Sequence, residues 1–450
     1  MKKIKAGYLS LVKGSWITDV LEKRRKASLK ALMALTNVEI VDCGQLIQNE
    51  SEAEKVYQKF EKEKVDVIIA HYITFSLGGI VPGMAEKLRK PVIFWSEPEP
   101  PMKGGRIESN SFCATNMNAH ALWKMNLKYD FIYGDTKSAL PEIRKRINVI
   151  ACIKHLRNAR IGSAGGRVPG FYTSNFSELE MREKFGAEIE GITLLELVKH
   201  TENLKTESIA KASKILLNGC VCGSATEDEL EKGARLLASF MELTEKYRLN
   251  AWTVRCWPEF SDIYGIGVCH LLGCLTGLSI PAACEGDAYG ALAMLISEAL
   301  TNKPSFFCDL ISFEPDGDTG LFWHCGAAPV SLCRKGCSPT INKHSIIDGG
   351  GKKGLACEFP LEAGLVTVLR ISECRDSRNF RLMTISGEGL ETGQQIKGNP
   401  LKVKFRRRAS EITNTLIENG FEHHYVMARG DIAKDLKFFA SLLDLELTQL

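Results

Sequence analysis

Short apolar runs alternate with amphipathic helical segments over the first 158 residues, and this alternation restricts the fold more than any other feature. Strands are expected at residues 4–11, 38–43, 65–71, 91–95 and 130–134, and helices between them at residues 19–35, 52–64, 84–89 and 118–126. Strands separated by helices at this spacing predict a parallel, doubly wound sheet. Ligands bind beyond the carboxyl ends of such strands, and Ser76 follows the third of them.

The same alternation starts again near residue 159. A helix at residues 226–247 begins with the Thr-x-x-Glu pattern of a capping box, and a strand at residues 250–255 leads to Trp257. The glycine-rich loop at residues 162–170 lacks the G-x-G-x-x-G spacing of a dinucleotide site. A close-approach turn that lines a pocket is therefore favoured over a phosphate cradle. These features predict a second α/β domain.

The pattern changes in the last hundred residues. Strands at residues 365–371 and 380–386 alternate, and a glycine-rich hairpin turn is expected at residues 349–354. This predicts an antiparallel barrel or sandwich, followed by a helix at residues 410–419, a strand at His423–His424 and a C-terminal helix. We expect an α/β protein with domains at residues 1–158, 159–345 and 346–450.

Composition excludes several function classes. The 450 residues are 44% hydrophobic and 25% charged, with a net charge of +4, as in an ordinary soluble globular chain. The only concentrated basic run, residues 402–408, alternates like a strand, so a solvated strand end is favoured over a nucleic-acid patch. No stretch approaches the ~18 uninterrupted apolar residues of a membrane span. We expect neither a nucleic acid nor a membrane as a partner.

Fifteen cysteines are scattered along the chain, many of them in apolar runs. Together with the missing apolar region of a secretory signal, they predict free thiols and a cytoplasmic location. Cys220 with Cys222, and Cys333 with Cys337, lack the paired C-x2-C spacing of structural zinc sites. We therefore do not predict zinc at those pairs.

The candidate catalytic and metal-binding residues are two carboxylates and two histidine sites, each next to an apolar run. Glu285 and Asp309 each end an expected strand, with a helix at residues 288–300 between them, so both should lie at one edge of one sheet. His324 follows, and a His423–His424 pair comes about a hundred residues later. Oxygen and imidazole ligands suit a divalent ion such as Mn²⁺, and paired carboxylates can act as general acid and base. The alternatives are a helix-capping role for Glu285, which Asp287 could also fill, and a core position for His324.

At these residues the sequence resembles the L-fucose/L-arabinose isomerase family, which are metal-dependent aldose–ketose isomerases. The resemblance is most specific over residues 284–329 and 421–450. It implies that Glu285, Asp309 and His424 bind Mn²⁺ or another divalent cation, with His324 in the place of a fourth ligand. It also implies two α/β domains followed by a β-barrel domain whose tail returns to the active site.

The resemblance implies interconversion of an aldose and its ketose through a metal-bound cis-enediol, in carbohydrate metabolism, with a monosaccharide as substrate. Glu285 and Asp309 would be the acid/base pair, and His423, Trp257, Ser76 and His120 would contact the substrate. A homo-oligomer, a hexamer or trimer, would complete each pocket with a neighbouring subunit. The open alternatives are a hydride shift, a metal-dependent sugar epimerase or aldolase, and a sugar-binding protein without activity.

Overall fold

The computed structural model describes residues 3–16, 18–102, 104–346 and 353–450. The chain divides into two compact units, Met1–His155 and Leu156–Leu450. The expected class, two parallel α/β sheets and an antiparallel barrel with a C-terminal helix, is confirmed. The boundary near residue 345 stays a prediction, and most of the turn expected at residues 349–354 lies outside the described residues.

The first unit is a five-stranded parallel sheet with the spatial order β2-β1-β3-β4-β5. Its elements are β1 (Ile4–Leu11), α1 (Asp19–Met33), β2 (Val38–Asp42), α2 (Glu50–Glu63), β3 (Val67–Tyr72), α3 (Ile80–Leu88), β4 (Val92–Ser96), α4 (Ser111–Lys124), β5 (Tyr129–Tyr133) and α5 (Thr136–Leu156). Helix α5 was not predicted from the sequence, and the predicted starts of α3 and α4 lie several residues after the observed ones.

Every residue of β3 is buried, because this strand lies at the centre of the sheet with helices over both faces. A polar chain nevertheless crosses the carboxyl ends of the strands. The Tyr8 hydroxyl lies 2.9 Å from His71 Nδ1, and His71 Nε2 lies 3.0 Å from Glu97. The His71 ring stacks on Trp95 at 3.7 Å between centroids. Each of the three side chains Tyr8, His71 and Glu97 thus has a hydrogen-bond partner in this buried row.

The second unit begins with a four-stranded parallel sheet in the order β10-β9-β6-β7. Its strands are β6 (Arg160–Ala164), β7 (Glu188–Ile192), β9 (Ala251–Val254) and β10 (Ala282–Ala283), and the helices of this segment are α6 (Glu178–Phe185), α7 (Leu194–His200), α8 (Thr206–Leu217), α9 (Glu227–Tyr247), α10 (Cys269–Gly277) and α11 (Ala288–Thr301). The predicted capping box at the start of α9 is confirmed, since Thr226 and Glu229 bond reciprocally.

A closed six-stranded antiparallel barrel follows, in the order β15-β18-β11-β12-β17-β16, and pairing of β15 with β16 closes it. The strands are β11 (Phe306–Glu314), β12 (Thr319–Trp323), β15 (Gly364–Glu373), β16 (Phe380–Gly389), β17 (Leu401–Phe405) and β18 (His424–Arg429). The basic run at residues 402–408 starts within β17, as expected. The expectation that Asp309 ends a strand of the Glu285 sheet was wrong, because β11 continues to Glu314 and belongs to the barrel.

Smaller elements complete the second unit. A three-stranded sheet joins β14 (Gly354–Glu358), β13 (Thr340–Lys343) and β8 (Val221–Cys222). The chain closes with α12 (Ala409–Glu418), α13 (Ala433–Leu442) and β19 (Glu446–Gln449), which pairs with β16. Among the described residues, no helix has both the length and the apolar character needed to cross a bilayer.

Candidate active site

A tight turn after β10 aims Glu285 into a cavity of the second unit. Glu285 has φ +60°, which is rare for a residue with a side chain, and Gly286 follows at +76°. A Cβ on Gly286 would lie 2.4 Å from the carbonyl oxygen of Gly166, so only glycine fits. The loop at residues 162–170 is therefore a close-approach turn, as expected, and it supports the turn that carries Glu285.

Barrel pairing places Asp309 beside His424. In the register of β11 with β18 these two residues are directly opposite, and Trp323 of β12 lies opposite Asp309 on the other side. Side chains opposite each other in an antiparallel pair are close neighbours. Asp309 Oδ1 lies 3.9 Å from His424 Nε2 and, among the described residues, has no hydrogen-bond partner although it is buried. A buried carboxylate oxygen of this kind needs a cation or a ligand.

His424 joins the two carboxylates. Its Nε2 atom lies 3.0 Å from Glu285 Oε2, and its Nδ1 atom lies 3.0 Å from Asp287 Oδ2. Asp287 also caps α11 by accepting a hydrogen bond from the Gly290 amide at 2.7 Å. The capping role that the sequence analysis left open for Glu285 thus belongs to Asp287. Because Asp287 accepts the Nδ1 proton, the Nε2 lone pair of His424 faces Glu285 and Asp309.

Arg370 sits behind this chain. It lies on β15, is fully buried, and donates to Asp287 Oδ2, and it also contacts Glu422 at 3.3 Å. Burial opposes ionisation of Asp287, but Arg370 and His424 hold the pKa of this carboxyl well below its usual value. Asp287 therefore carries a permanent negative charge behind the imidazole.

The charges around His424 favour a cation between the acids. Burial disfavours the imidazolium, but hydrogen bonds to Asp287 and Glu285 raise the pKa of His424 to about 9. Burial of Glu285 is likewise outweighed by His423 and His424, which hold its pKa well below the usual value. The position between Glu285 and His424 Nε2 thus attracts positive charge, and a metal ion would replace the proton there.

The other predicted residues of this unit lie around the same cavity. His324 follows β12, is buried, and contacts Cys325 Sγ at 3.3 Å. Trp257 Nε1 donates to Glu285 Oε1 at 3.4 Å. His423 is half exposed, lies 3.8 Å from Glu285, and is positioned by Thr173 at 3.0 Å.

The cavity has a volume of about 410 Å³, which suits a monosaccharide-sized ligand. Its wall combines aromatic rings with the acids and with thiols. The lining includes Phe171, Trp257, Trp323, Glu285, Asp309, His324, Cys256, Cys269, Cys284 and Cys325.

Ser76 and His120 belong to the first unit. Ser76 follows β3 and is buried, and its hydroxyl has no hydrogen-bond partner among the described residues. His120 is exposed on α4, near the ring of Trp123. The expectation that both contact a sugar stays a prediction.

Comparison with known proteins finds similarity to sugar isomerases. The model of the fucose/sulfoquinovose isomerase N-terminal domain matches residues 8–157. A sulfoquinovose isomerase from Priestia aryabhattai is 27% identical over 448 residues, which cover 98% of this chain and 97% of that protein. A sulfoquinovose isomerase from Alkalicoccus urumqiensis is 27% identical over 390 residues, which cover 86% of each chain. These matches support a relationship to the fucose isomerase-like family. This chain is an aldose–ketose isomerase.

A solved structure also shows local similarity. The periplasmic solute-binding protein of an ABC transporter from Actinobacillus succinogenes, with bound D-allose, shares 12% identity. It covers 67% of this chain and 92% of that protein, with a TM-score of 0.18. A likeness at this level carries no argument for the sugar-binding alternative.

The donor set of this isomerase fits a divalent ion. Glu285 and His424 converge, and with His423 they form a group of donors that all lie within 4.8 Å of one another. Asp309 Oδ1 lies 3.9 Å from His424 Nε2 and has no hydrogen-bond partner among the described residues, and the imidazole is oriented from behind by Asp287. Hard oxygen donors with one or two imidazoles suit Mn²⁺.

The residues behind His424 were not predicted from the sequence. Asp287 was expected only as a helix cap, although one carboxylate can cap a helix with one oxygen and orient a histidine with the other. Arg370 was overlooked within the apolar run at residues 365–371. An arginine in such a run was the available signal, because arginine is rarely buried without a charged partner.

Replacing Asp287 by Asn should weaken Mn²⁺ binding 10- to 100-fold, because the variant keeps a capping side chain but loses the charge that orients His424. Calorimetric titration of the metal-depleted protein measures this. Asp316→Asn, in the exposed turn between β11 and β12, is the matched control and should bind like the wild type. Unchanged affinity in Asp287→Asn would contradict the orienting role.

Proposed function

We propose that this isomerase converts the aldose sulfoquinovose to its ketose, using Glu285 and Asp309 as the acid/base pair at a divalent metal centre. The substrate is supported by two relatives that carry this name and match nearly the full chain. The observation that carries the chemistry is the convergence of Glu285, Asp309 and His424 from a parallel-sheet turn and two barrel strands.

The residues present would hold Mn²⁺ through Glu285, Asp309 and His424, with His324 as a further donor. A bound divalent ion polarises a sugar carbonyl and acidifies the neighbouring C–H bond. Asp309 is suited to take up the proton, because its Oδ1 atom has no hydrogen-bond partner among the described residues. His423 and His424 lower the pKa of Glu285 and so keep it ionised. Glu285 is the second member of the acid/base pair that moves the proton between C1 and C2.

The surrounding side chains position the sugar. Trp257 holds Glu285 through its indole N–H, and Phe171 packs edge-on against Trp257 at 5.7 Å between ring centroids. These rings offer the apolar faces on which the C–H side of a sugar packs. His423, at the more exposed side of the site, presents a ring whose orientation Thr173 fixes.

One observation favours a neutral aldose as the second candidate substrate. A sulfonate is usually bound by lysine or arginine, as other oxyanions are. Among the described residues that line the cavity there is neither. The histidines of the site, or a neighbouring subunit, would then have to bind the sulfonate.

A substrate panel separates these candidates. The wild type with Mn²⁺ should form ketose from sulfoquinovose faster than from fucose, arabinose or rhamnose, as measured by chromatography of the products. Glu285→Gln and Asp309→Asn should each lower kcat/KM by about 10²–10⁴, because a general acid or base typically contributes that factor. Glu314→Gln, at the exposed end of β11, is the control and should retain activity. Full activity in either site variant would refute the acid/base pair, whereas preference for a neutral aldose would refute only the substrate.

Isotope exchange tests the enediol route. Substrate carrying deuterium at C2 should lose the label to water during turnover, because Asp309 and Glu285 can exchange the abstracted proton with solvent. Proton NMR of the recovered sugars measures this. Quantitative retention of deuterium at C1 of the ketose would instead establish a hydride shift.

We also propose a cytoplasmic homo-oligomer, a hexamer or trimer, in which the first unit completes a neighbouring subunit's pocket. All fifteen cysteines are free, which suits a reducing compartment. Ser76 Oγ and Asn118 Oδ1 are buried without hydrogen-bond partners among the described residues. Ser76 follows β3 at the carboxyl end of the parallel sheet, and Asn118 lies within α4. Buried polar atoms without a partner support a ligand-facing role.

Mixing two inactive variants tests the shared site. His120→Ala and Glu285→Ala subunits, co-refolded or co-expressed, should recover activity in mixed oligomers because some pockets receive both intact residues. Light scattering must show that the variants assemble together. Co-assembly without recovery would place both residues in one chain's site, and a fully active monomer would exclude sharing altogether.

A further inference from the structure

A second group of potential metal ligands lies apart from the catalytic cavity. Cys220, His270 and Cys357 offer two sulfurs and one ring nitrogen that all lie within 4.8 Å of one another. None of them belongs to the lining of the catalytic cavity. His270 and Cys357 are fully buried, and Cys220 is partly buried.

Three separate chain segments bring these side chains together. Cys220 lies in the turn between α8 and β8, and Cys357 lies on β14. His270 comes from α10, and Cys274 lies four residues further on, on the same face of that helix. Cys274 Sγ is 3.7 Å from His270 Nε2 and 3.9 Å from His270 Nδ1. Cys220, His270 and Cys357 therefore form the close group, and Cys274 borders it as a further sulfur donor.

The distances match tetrahedral zinc and not a disulfide. The sulfurs of Cys220 and Cys357 are 3.8 Å apart, whereas a disulfide bond measures about 2.05 Å. Two thiolates at ~2.3 Å from a tetrahedral zinc ion lie about 3.8 Å apart.

His270 is oriented as a ligand by its other nitrogen. Its Nε2 atom lies 2.8 Å from the carbonyl oxygen of Leu216, at the end of α8, and donates its proton there. The Nδ1 atom then carries the lone pair. Metal-binding histidines commonly donate their second ring N–H to a backbone carbonyl in this way, which fixes the tautomer and the ring orientation.

We propose that Cys220, His270, Cys274 and Cys357 bind a structural zinc ion. Thiolate-rich sites select zinc over manganese, so this ion differs from that of the catalytic cavity. It would tie the end of α8 and the strand β14 to α10, the helix that precedes the Glu285 turn. The sequence has no paired C-x2-C motif for this site, because its ligands come from three segments that are distant in the chain and adjacent in the fold.

A neighbouring cluster fails the same geometric test. Cys269 Sγ lies 3.3 Å from both Cys325 Sγ and His344 Nε2, on the wall of the catalytic cavity. The Ile346 amide donates to His344 Nδ1 at 3.1 Å, so the proton of a neutral His344 ring is on Nε2. That nitrogen faces Cys269 as a donor and not as a metal ligand.

Metal analysis of the full-length protein tests the proposal. After exhaustive dialysis against Mn²⁺, the wild type should retain about one zinc per chain by mass spectrometry, and Cys357→Ser and Cys274→Ser should retain less than a tenth of that. Cys374→Ser and Cys269→Ser are matched controls and should keep zinc, as should the catalytic variant Glu285→Gln. Zinc retained in Cys357→Ser, or lost in Cys269→Ser or Glu285→Gln, would overturn the assignment.

X-ray absorption of the zinc-loaded wild type keeps the test independent of variants that fail to fold. The expected spectrum has three sulfur neighbours at about 2.3 Å and one nitrogen at about 2.0–2.1 Å. A shell of oxygen and nitrogen alone would assign the zinc to the catalytic cavity and overturn the proposal. Recovery of a Cys220–Cys357 disulfide from the protein, digested without reduction, would overturn it as well.

Discussion

The antiparallel pairing of β11 with β18 is the interaction on which the active site depends. It places Asp309 directly opposite His424, so a strand from the middle of the chain and one from its end contribute neighbouring side chains. Because side chains alternate between the two faces of a strand, a register shift of one residue would point one of them to the opposite face of the barrel wall. Glu285 meets this pair from the parallel sheet, where its turn is fixed by the close contact of Gly286 with Gly166. The site is therefore precise only while the barrel is closed and packed on that turn.

The chain Arg370–Asp287–His424 shows how the protein tolerates so many charges in a buried site. A lone buried carboxylate is costly, but Asp287 has an arginine on one side, an imidazole on the other, and the first turn of α11 in addition. Asp287 thereby links helix geometry to the orientation of His424. Removing its charge would leave Arg370 with Glu422 as its only remaining carboxylate partner in the described part of the chain.

Local patterns explain how much was predictable from sequence. The alternation of strands and helices, the capping box of α9 and the strand that starts at His424 follow from short-range periodicity, which a single sequence displays. Asp309 was placed in the wrong sheet because an apolar run of five residues does not reveal whether its neighbours are parallel or antiparallel strands. The partnership of Asp287 with Arg370 joins residues 83 positions apart, and no local pattern encodes such a pair. The Pro-Asp-Gly-Asp composition of residues 315–318, by contrast, is enough to indicate a turn, and the structure places these residues in the β11–β12 hairpin.

Helix α10 connects the catalytic cavity with the cysteine–histidine cluster behind it. Consecutive residues of an α-helix point about 100° apart, so Cys269 faces the cavity while His270 faces the second cluster. Gly273 allows this helix to approach the loop before Pro329 closely, since a Cβ there would lie 2.6 Å from the carbonyl oxygen of Ala328. An ion held by His270 and Cys274 would fix the rotation of α10 about its own axis, and the same rotation sets where Cys269 meets the cavity wall. Apolar packing restrains where α10 lies between its neighbouring elements. A directional ligand bond also restrains the rotation of α10 about its axis. A structural metal ion behind the wall of the catalytic cavity would thus fix the rotation of α10 more firmly than apolar contacts alone.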